Sequence, residues 1–518
     1  MKLPATIMTI LTTIFINEVT PLNILGVFPY QGRSHFFVFE PYLRELAARG
    51  HNVTVITHFP QKTPVKNYQD ISLVGTSIQV EGLIPVEKSY FTLFMIGVYL
   101  IGTGTDNCKA LLANDNVQKL WKSEAKFDVV LVEQFNSDCS LGLAHKLGAP
   151  VIGLTSHTLM PWQLNRFGVE FNPSYVSTQF LSGGTKPSLF ERIERVIVYN
   201  IFNTAFKYAS QRTDESTLRE YFDGVPPLEE LAQNIRVQLV YTHHTLSGVN
   251  LYPPKIVEVN GYHVAKPKPL PEKLQKFIDE AEHGVIYVSF GSMLKAASTP
   301  RDKLEAITKA LSQLPQRVIF KWEEKTLPGD YKNIYISDWL PQNDIFAHPN
   351  VVAFYSHCGL LGTTEAIYHG VPIVGMPIFG DQPSNAAAME EGGMGVQIQT
   401  TELTTEKLLE KFKIVLDPQF RANVKRLSKV WHDRPSSPMD TAIYWTEYVA
   451  RNPNFTFVPP TVHVPFYQFW CLDVLAVFIL ISLISFYVLK FLCCLVCRRK
   501  SKEVVKNANT KKKSKKDN

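Results

Sequence analysis

The sequence predicts an α/β protein with two doubly wound parallel sheets and one C-terminal membrane-spanning helix. The length of 518 residues favours two or more domains. Short β-branched runs alternate with amphipathic helical stretches in two separate series, the pattern of parallel sheets covered by helices. A long apolar segment follows the second series. Two such sheets facing each other would form a cleft with ligands at the carboxyl ends of the strands.

The first series occupies the N-terminal half of the chain. We expect strands over residues 22–28, 53–57, 129–132 and 150–154, with helices over 34–49 and 140–147. Gly50 stands where a helix C-cap belongs. The apolar, aromatic segment 90–96 reads as a core helix, with the wall of a binding pocket as the alternative. These elements predict a first domain over residues 21–262.

A proline-rich stretch separates the two series. Pro267, Pro269 and Pro271 predict an extended linker over residues 263–274. The alternation then restarts, which predicts a second domain over residues 275–455. Its expected strands and helices cover residues 284–290, 301–314, 318–322, 351–355, 363–369 and 372–374.

Apolar and basic segments at the two ends predict the topology. The apolar run 7–16 after Lys2 is typical of a signal peptide, expected over residues 1–20. After a juxtamembrane segment, 456–469, the stretch 470–491 is long enough to span a bilayer as a helix. The positive-inside rule then places the tail 492–518 in the cytosol and the domains in the lumen.

Charge is concentrated in that tail. Residues 498–518 contain ten Lys/Arg against two acids, a net charge of +8, whereas the whole chain carries +6. The remainder is therefore slightly acidic, at −2, which argues against a nucleic-acid partner. Lys515 and Lys516 resemble a dilysine signal that retrieves single-pass type I proteins to the endoplasmic reticulum membrane.

Cysteines and sequons add two expectations. No pair among the seven cysteines has the company of a zinc site, so we predict no metal. Cys108 and Cys139 are candidates for one disulfide in an oxidising lumen, which their spacing alone leaves open. Asn454, in a Pro-rich stretch, is a better glycosylation acceptor than Asn52, which adjoins a predicted strand.

The stretch from Trp339 to Asn385 carries the most specific signal. A predicted strand leads into Ser356-His357-Cys358-Gly359, and a helix is expected to open near residues 362–364. A small-residue turn before a helix presents free amides and the positive end of the helix dipole, which suits an anion such as a phosphate. Glu365, expected in the first turn, is suited to receive the hydroxyls of a ribose.

This stretch closely resembles the signature of the UDP-glycosyltransferases, and the resemblance extends over nearly the whole chain. The family has a GT-B fold, with two Rossmann-like domains and the sugar nucleotide held mainly by the second. The resemblance implies that Trp339 stacks on uracil beside Gln342, and that Asp381 and Gln382 hold the sugar hydroxyls. It assigns Glu365 to the ribose and the following residues to the diphosphate: Ser292, His357, Gly359, Leu361, Gly362 and Thr363.

A histidine at the start of the first helix is the candidate base. The helix dipole disfavours an imidazolium at His35, so its ring can accept a proton. The resemblance implies that His35 deprotonates the acceptor hydroxyl in an inverting transfer that expels UDP. Its carboxylate partner has two candidates: Glu133 keeps the family's position, and Asp138 keeps its residue type in an arrangement that looks like insect members. We favour Asp138.

The expected activity follows from the resemblance. It is hexosyl transfer from a UDP-sugar, with UDP-glucose favoured over UDP-glucuronate, to a small lipophilic acceptor in conjugation or detoxification. No cofactor is expected beyond the UDP-sugar as co-substrate, and a homo-oligomer is left open. Cys358 and Leu361 stand where the family usually has Gly and Asn, which predicts weaker donor binding. The alternative is a non-catalytic protein of the same fold that binds lipophiles or UDP-sugars.

Overall fold

The computed structural model describes residues 20–76, 90–176, 179–181, 184–248, 250–291, 296–329 and 331–514. Residues 1–19 of the expected signal peptide, Ser292, Lys515 and Lys516 lie outside the described residues. The chain forms two compact units, Met1–Val458 and Pro459–Asn518. The first unit contains both sheets.

The first sheet has seven parallel strands in the order β3-β2-β1-β4-β5-β6-β7. The four strands expected from the sequence are confirmed. Pairing of Ile24 with both Val53 and Val129 places β1 in the interior of the sheet, between β2 and β4. The strands are β1 Asn23–Phe28, β2 Asn52–Thr57, β3 Tyr68–Ser72, β4 Val129–Glu133, β5 Val151–Leu154, β6 Val237–Val240 and β7 Ile256–Glu258.

The second sheet has six parallel strands in the order β10-β9-β8-β11-β12-β13. It is therefore doubly wound as the first sheet is, as predicted. Every residue of β4, β8 and β11 is buried, as expected for strands covered on both faces. The strands are β8 Val285–Ser289, β9 Arg317–Lys321, β10 Ile334–Ser337, β11 Val351–Ser356, β12 Ile373–Gly375 and β13 Gly395–Gln397.

Helices cover both sheets. In the N-terminal half they are Arg33–Ala48, Tyr90–Ala113, Asp115–Lys122, Cys139–Leu147, Pro161–Leu164, Leu189–Ala205, Arg212–Arg219, Leu228–Gln233 and His244–Ser247, with 3-10 and π segments at Asn165–Phe167 and Phe206–Gln211. In the C-terminal half they are Glu272–Asp279, Arg301–Ser312, Gln342–Phe346, Leu360–His369, Gln382–Glu391, Thr405–Leu416, Pro418–His432 and Pro438–Arg451, with 3-10 turns at Ala296–Ser298 and Thr400–Glu402.

One helix from the end of the second series packs on the first sheet. Helix Pro438–Arg451, which we assigned by sequence to the domain 275–455, buries Ala442, Ile443 and Val449 in the core around β1. The Tyr42 hydroxyl is hydrogen-bonded to Thr446 in the same place. Sequence periodicity detects such a helix, but not the sheet against which its apolar face packs.

The structure describes the surroundings of the two paired cysteine candidates and of the two candidate glycosylation asparagines. Cys108 and Cys139 form a disulfide that joins helix Tyr90–Ala113 to the start of helix Cys139–Leu147. Asn52 is the first residue of β2, and its side-chain amide donates to Asn23 Oδ1 at 3.1 Å. Asn454 is exposed in a turn after helix Pro438–Arg451, so its side chain is free for a modifying enzyme.

The second unit consists mainly of one long helix, Leu472–Ser514. Its apolar part is long enough to cross a membrane by length and composition. The helix continues beyond residue 491 into the basic tail, where the sequence predicted only a charged segment. Short turns at Pro460–Val462 and Phe466–Phe469 precede it.

Candidate active site

A cleft of about 750 Å³ lies between the carboxyl ends of the two sheets. Each sheet contributes the point at which its strand order reverses, between β1 and β4 and between β8 and β11. These switch points are where doubly wound sheets bind ligands. Ten of the residues singled out in the sequence line this cleft: His35, Trp339, Gln342, His357, Gly359, Leu361, Gly362, Glu365, Asp381 and Gln382.

His35 and Glu133 form the closest ionisable pair in the cleft region. His35 lies in the first turn of helix Arg33–Ala48, which follows β1, and Glu133 is the last residue of β4. Because β1 and β4 are neighbouring strands, the two side chains lie close together. His35 Nδ1 lies 2.6 Å from Glu133 Oε1. Since the carboxylate accepts from Nδ1–H, Nε2 is left with a lone pair that can take a proton.

We favoured Asp138 over Glu133 as the partner of His35, but the residue that contacts His35 is Glu133. Asp138 is 2% exposed, and both of its carboxylate oxygens accept from Arg166, at 3.0 and 2.9 Å. Gln211 also donates to it, at 2.9 Å. A carboxylate buried to this degree needs such a partner, and Arg166 satisfies it away from the cleft. Residue type was therefore a poorer guide here than position after the strand.

The helix at the candidate anion site starts earlier than the sequence predicted. It runs from Leu360 to His369 with Gly359 as N-cap, and its first intrahelical bond joins Thr363 N–H to Gly359 O. The amides of Leu360, Leu361 and Gly362 therefore have no intrahelical acceptor. Glu365 lies in the second turn rather than the first.

The side chain of His357 fills the space between two glycines. A Cβ at Gly291 or Gly359 would approach its Nε2 to 2.6 or 2.5 Å, so a side chain at either position would displace the ring. Gly291 also has a positive φ of 85°, which favours glycine. Burial, together with nearby Lys321, lowers the pKa of His357 to about 4. The ring is neutral at physiological pH and acts beside the free amides as a dipolar group rather than as a cation.

Cys358 and Leu361, which the sequence resemblance marks as departures from the family pattern, have different surroundings. Cys358 has a positive φ of 64°, a conformation that favours glycine, and its sulfur packs directly against Gly375. The thiol thus fits, at the cost of a less favourable backbone. Leu361 lines the cleft and offers no side-chain hydrogen bond where an Asn would. Thr363 is 2% exposed and does not line the cleft.

The remaining donor-site candidates form a polar edge. Trp339 is 72% exposed and presents its ring to the cleft, whereas Glu365 is hydrogen-bonded by Gln342. Burial raises the pKa of the Asp381 carboxyl, which accepts from Asn385 at 2.7 Å. The side-chain oxygen Oε1 of Gln382 accepts from the backbone amides of Ile378 and Phe379, at 2.9 and 3.1 Å.

Several cleft residues had no signal in the sequence. Rings of Tyr30 and Phe135 lie 4.7 and 4.6 Å from that of His35. His157 follows β5, and the Lys321 ammonium donates to Gly291 O at 2.5 Å. Segment 90–96, read as a core helix, contributes Met95 and Ile96 to the cleft wall. These residues share no sequence motif. A position just after a predicted strand is the one general signal that could have indicated some of them.

Metal binding gains no support from the described residues, which include no cluster of three or more His, Cys, Asp or Glu side chains that could hold an ion. The polar groups of the cleft include backbone amides, imidazoles, carboxylates and the Lys321 ammonium. A nucleoside diphosphate would find hydrogen-bond donors at the helix N-terminus and an aromatic face at Trp339.

Comparison with known proteins gives a consistent result. A family model described as UDP-glucoronosyl and UDP-glucosyl transferase matches residues 24–508. UDP-glycosyltransferase UGT5 of Dactylopius coccus is 36% identical over 508 residues, covering 93% of this chain and 95% of that protein. UDP-glucuronosyltransferase 2B1 of Rattus norvegicus is 30% identical, covering 90% and 92%.

Solved structures share the fold. A UDP-glucosyltransferase from Polygonum tinctorium superimposes with a TM-score of 0.57 at 15% identity, covering 84% of this chain and 99% of that one. The calicheamicin glycosyltransferase CalG4 gives a TM-score of 0.54 at 18% identity, covering 84% and 100%. These likenesses identify the two-sheet architecture as GT-B.

Proposed function

The chain belongs to the family of UDP-glucuronosyl and UDP-glucosyl transferases, and from that premise we propose that it transfers glucose from UDP-glucose to a hydroxyl of a small lipophilic acceptor. The observation that carries the proposal is the pairing of His35 with Glu133 in the same cleft as the free helix amides. A base and an anion site are what an inverting transfer of this kind requires.

The donor is proposed to lie along the second sheet. Uracil stacks on Trp339, the ribose hydroxyls bind Glu365 beside Gln342, and the diphosphate meets the amides of Leu360 to Gly362 near His357. Asp381 and Gln382 take the sugar hydroxyls. Support comes from the common cleft that these side chains line and from the exposed ring of Trp339. Ser292 is assigned to the diphosphate by resemblance alone.

The reaction is a single displacement at the anomeric carbon. His35 Nε2 takes the proton of the acceptor hydroxyl as its oxygen attacks, and Glu133 stabilises the imidazolium that results. The bond from the anomeric carbon to the UDP oxygen breaks on the opposite face, so configuration inverts. Free amides at the helix N-terminus stabilise the charge that develops on the departing diphosphate. The proton then leaves His35 for solvent.

Two features bear on the donor sugar and the acceptor. Relatives at 36% identity include UDP-glucosyltransferase 2 of Dactylopius coccus, whereas the glucuronosyltransferases are more distant, at about 30%; this supports glucose. The acceptor side of the cleft presents Phe37, Met95, Ile96 and Leu100, which suits a lipophilic molecule. A conjugating, detoxifying role follows from that acceptor class.

We also propose that the enzyme resides in the endoplasmic reticulum membrane with its two sheets in the lumen. The helix Leu472–Ser514 supplies a candidate span followed by basic residues. The disulfide between Cys108 and Cys139 fits an oxidising compartment. Asn454 is then available as a glycosylation site, and retrieval would depend on Lys515 and Lys516.

A UDP-release assay on membranes that contain the full chain tests the activity. UDP-glucose and UDP-glucuronate are each paired with a panel of phenols and sterols, with His35→Ala as the inactive control and His145→Ala, on an exposed helix surface, as the matched control. Release that requires acceptor, UDP-glucose and His35 supports the proposal. Release with UDP-glucuronate alone would overturn the choice of sugar. UDP binding without release from either donor would favour a non-catalytic binding protein.

A further inference from the structure

His157 stands next to the proposed base, and no role has been assigned to it so far. It follows β5 and lines the cleft. Its ring centroid lies 5.7 Å from that of His35 and 5.2 Å from that of Phe135. An acceptor hydroxyl held at His35 would therefore have His157 as a neighbour.

The hydrogen bonding of His157 fixes which nitrogen carries its proton. Nδ1 lies 2.6 Å from the carbonyl oxygen of Thr158, and a carbonyl can only accept, so Nδ1 must be the protonated nitrogen. Burial, together with nearby His35, lowers the pKa of His157 to about 3, so the ring is neutral at physiological pH. Nε2 is then a pure acceptor that is buried from solvent, and within the described part of the chain it has no hydrogen-bond partner.

His35 likewise carries its proton on Nδ1. Its Nδ1–H is directed at Glu133, which leaves Nε2 as an acceptor. Two neighbouring imidazoles thus each offer one acceptor nitrogen and no donor to the acceptor molecule. The reacting hydroxyl has a single proton, which His35 takes. A second donor on the acceptor molecule is needed to satisfy His157, because a buried acceptor left unpaired is costly.

The surrounding side chains favour an aromatic ring in this position. Tyr30 and Phe135 lie within 4.8 Å of each other and both contact the His35 ring. We propose that His157 binds a second hydrogen-bond donor of the acceptor beside the reacting hydroxyl, so that ortho-dihydroxy aromatic rings are preferred over rings with one hydroxyl. This inference rests on the transferase function proposed for the same cleft.

The segment that carries His157 is held in place from both halves of the cleft. Gln179 donates to the Thr158 carbonyl and hydroxyl oxygens, at 2.5 and 2.7 Å. The Phe180 amide donates to Gly380 O at 2.9 Å, next to Asp381. Such support limits the positions that the His157 ring can adopt, which is what discrimination between similar acceptors requires.

The test compares matched acceptors on membranes that contain the full chain with UDP-glucose. For the wild type we expect kcat/KM for 4-methylcatechol to exceed that for 4-methylphenol by about tenfold, mainly through KM. The ratio should fall to within about twofold of one in His157→Phe and remain partly elevated in His157→Gln, since an amide can donate to Thr158 and still accept. His145→Phe should keep the wild-type ratio.

A methylated analogue provides a test that needs no variant. The ether of 2-methoxy-4-methylphenol can accept but not donate, so the wild type should use it no better than 4-methylphenol. A wild-type ratio near one, preference for the ether, or a ratio that survives in His157→Phe would each overturn the inference.

Failure of the transferase function itself would have a different signature. The wild type would then release no UDP with any acceptor. In that case the dissociation constants of 4-methylcatechol and 4-methylphenol, measured with UDP present by quenching of tryptophan fluorescence, still decide the question. Tighter binding of the catechol that is lost in His157→Phe supports the role of His157, and equal binding of the two by the wild type excludes it.

Discussion

The two walls of the cleft are built in different ways. On the side of the second sheet, most lining residues come from one stretch, 339–382, with a few from the ends of β8 and β9. On the side of the first sheet they come from five separate places along the chain: residues 30–37, 95–100, 135, 156–160 and 179–180. Where one continuous segment forms a wall, its lining residues have a fixed spacing in the sequence that can be recognised. Where separate segments form a wall, each lining residue can be substituted independently of the others.

This difference predicts a division of labour between the walls. Substitutions on the first wall should change turnover and the choice of acceptor, whereas substitutions on the second should change donor binding. The halves also differ in what stabilises them. The first contains the disulfide between Cys108 and Cys139 and a buried ion pair between Asp138 and Arg166.

The largest effect is expected from Glu133→Gln on the first wall. An amide cannot stabilise the imidazolium that forms at His35, so kcat should fall by about 10²–10⁴-fold while KM for UDP-glucose stays within about twofold. Steady-state kinetics with both substrates varied would measure this. A large rise in KM for the donor instead would remove the proposed division between the walls.

Asp138→Asn is the matched comparison for Glu133→Gln. Asp138 and Glu229 both pair with buried Arg166, and the amide removes the first of these two carboxylates, a change that costs up to about 3–5 kcal/mol of stability. The expected outcome is a low yield of folded protein whose kcat per active site is nearly normal. A fully stable Asp138→Asn with a kcat as low as that of Glu133→Gln would restore Asp138 as the catalytic partner.

Removal of the disulfide should destabilise the first half more than it alters chemistry. Cys108 and Cys139 are separated by 31 residues, and closing a loop of that length contributes about 3–4 kcal/mol. Cys108→Ser combined with Cys139→Ser should therefore lower the thermal midpoint, with the dissociation constant for UDP unchanged at low temperature. An equal loss of UDP affinity would mean that the second wall depends on the first for its shape.

Trp339→Ala should have a smaller effect, confined to the second wall. Loss of a stacking ring against a base typically costs about 1–3 kcal/mol, so KM for the donor should rise about tenfold or more. KM for the acceptor should not change. Trp339→Phe keeps an aromatic face and should recover most of the affinity, and titration of UDP against each variant would show whether it does.

The sequence predicted the second wall of the cleft better than the first. The alternation of strands and helices predicted both sheets, and the stretch around Ser356 to Gly359 predicted a helix N-terminus after β11, because local spacing determines both. The sequence analysis missed strands β3, β6, β7, β10 and β13, which are only three to five residues long, and it missed His157, which belongs to no motif. The contact of His35 with Glu133 rather than Asp138 depends on which partner Arg166 takes, a long-range pairing that spacing does not encode.

The polar network of the first half predicts a dependence of stability on pH. Asp214 is 1% exposed, and its Oδ2 accepts from the Ser137 hydroxyl and the Asp138 amide, at 2.8 and 3.0 Å. Burial raises the pKa of Asp214 to about 8. The folded state therefore binds a proton that the unfolded state releases near pH 4.

The stability that this proton contributes is complete below about pH 4 and is lost as pH rises through 8. Asp214→Asn can keep both hydrogen bonds through its carbonyl oxygen without titrating. We expect the free energy of unfolding of this variant to exceed that of the wild type increasingly between pH 5 and 8, by up to about 1.4 kcal/mol per pH unit. Thermal midpoints measured across this range in detergent would show the difference, and Trp339→Ala should show no such trend. Parallel pH profiles for Asp214→Asn and the wild type would mean that Asp214 is already ionised in the folded protein, with its charge met by the network around Arg166.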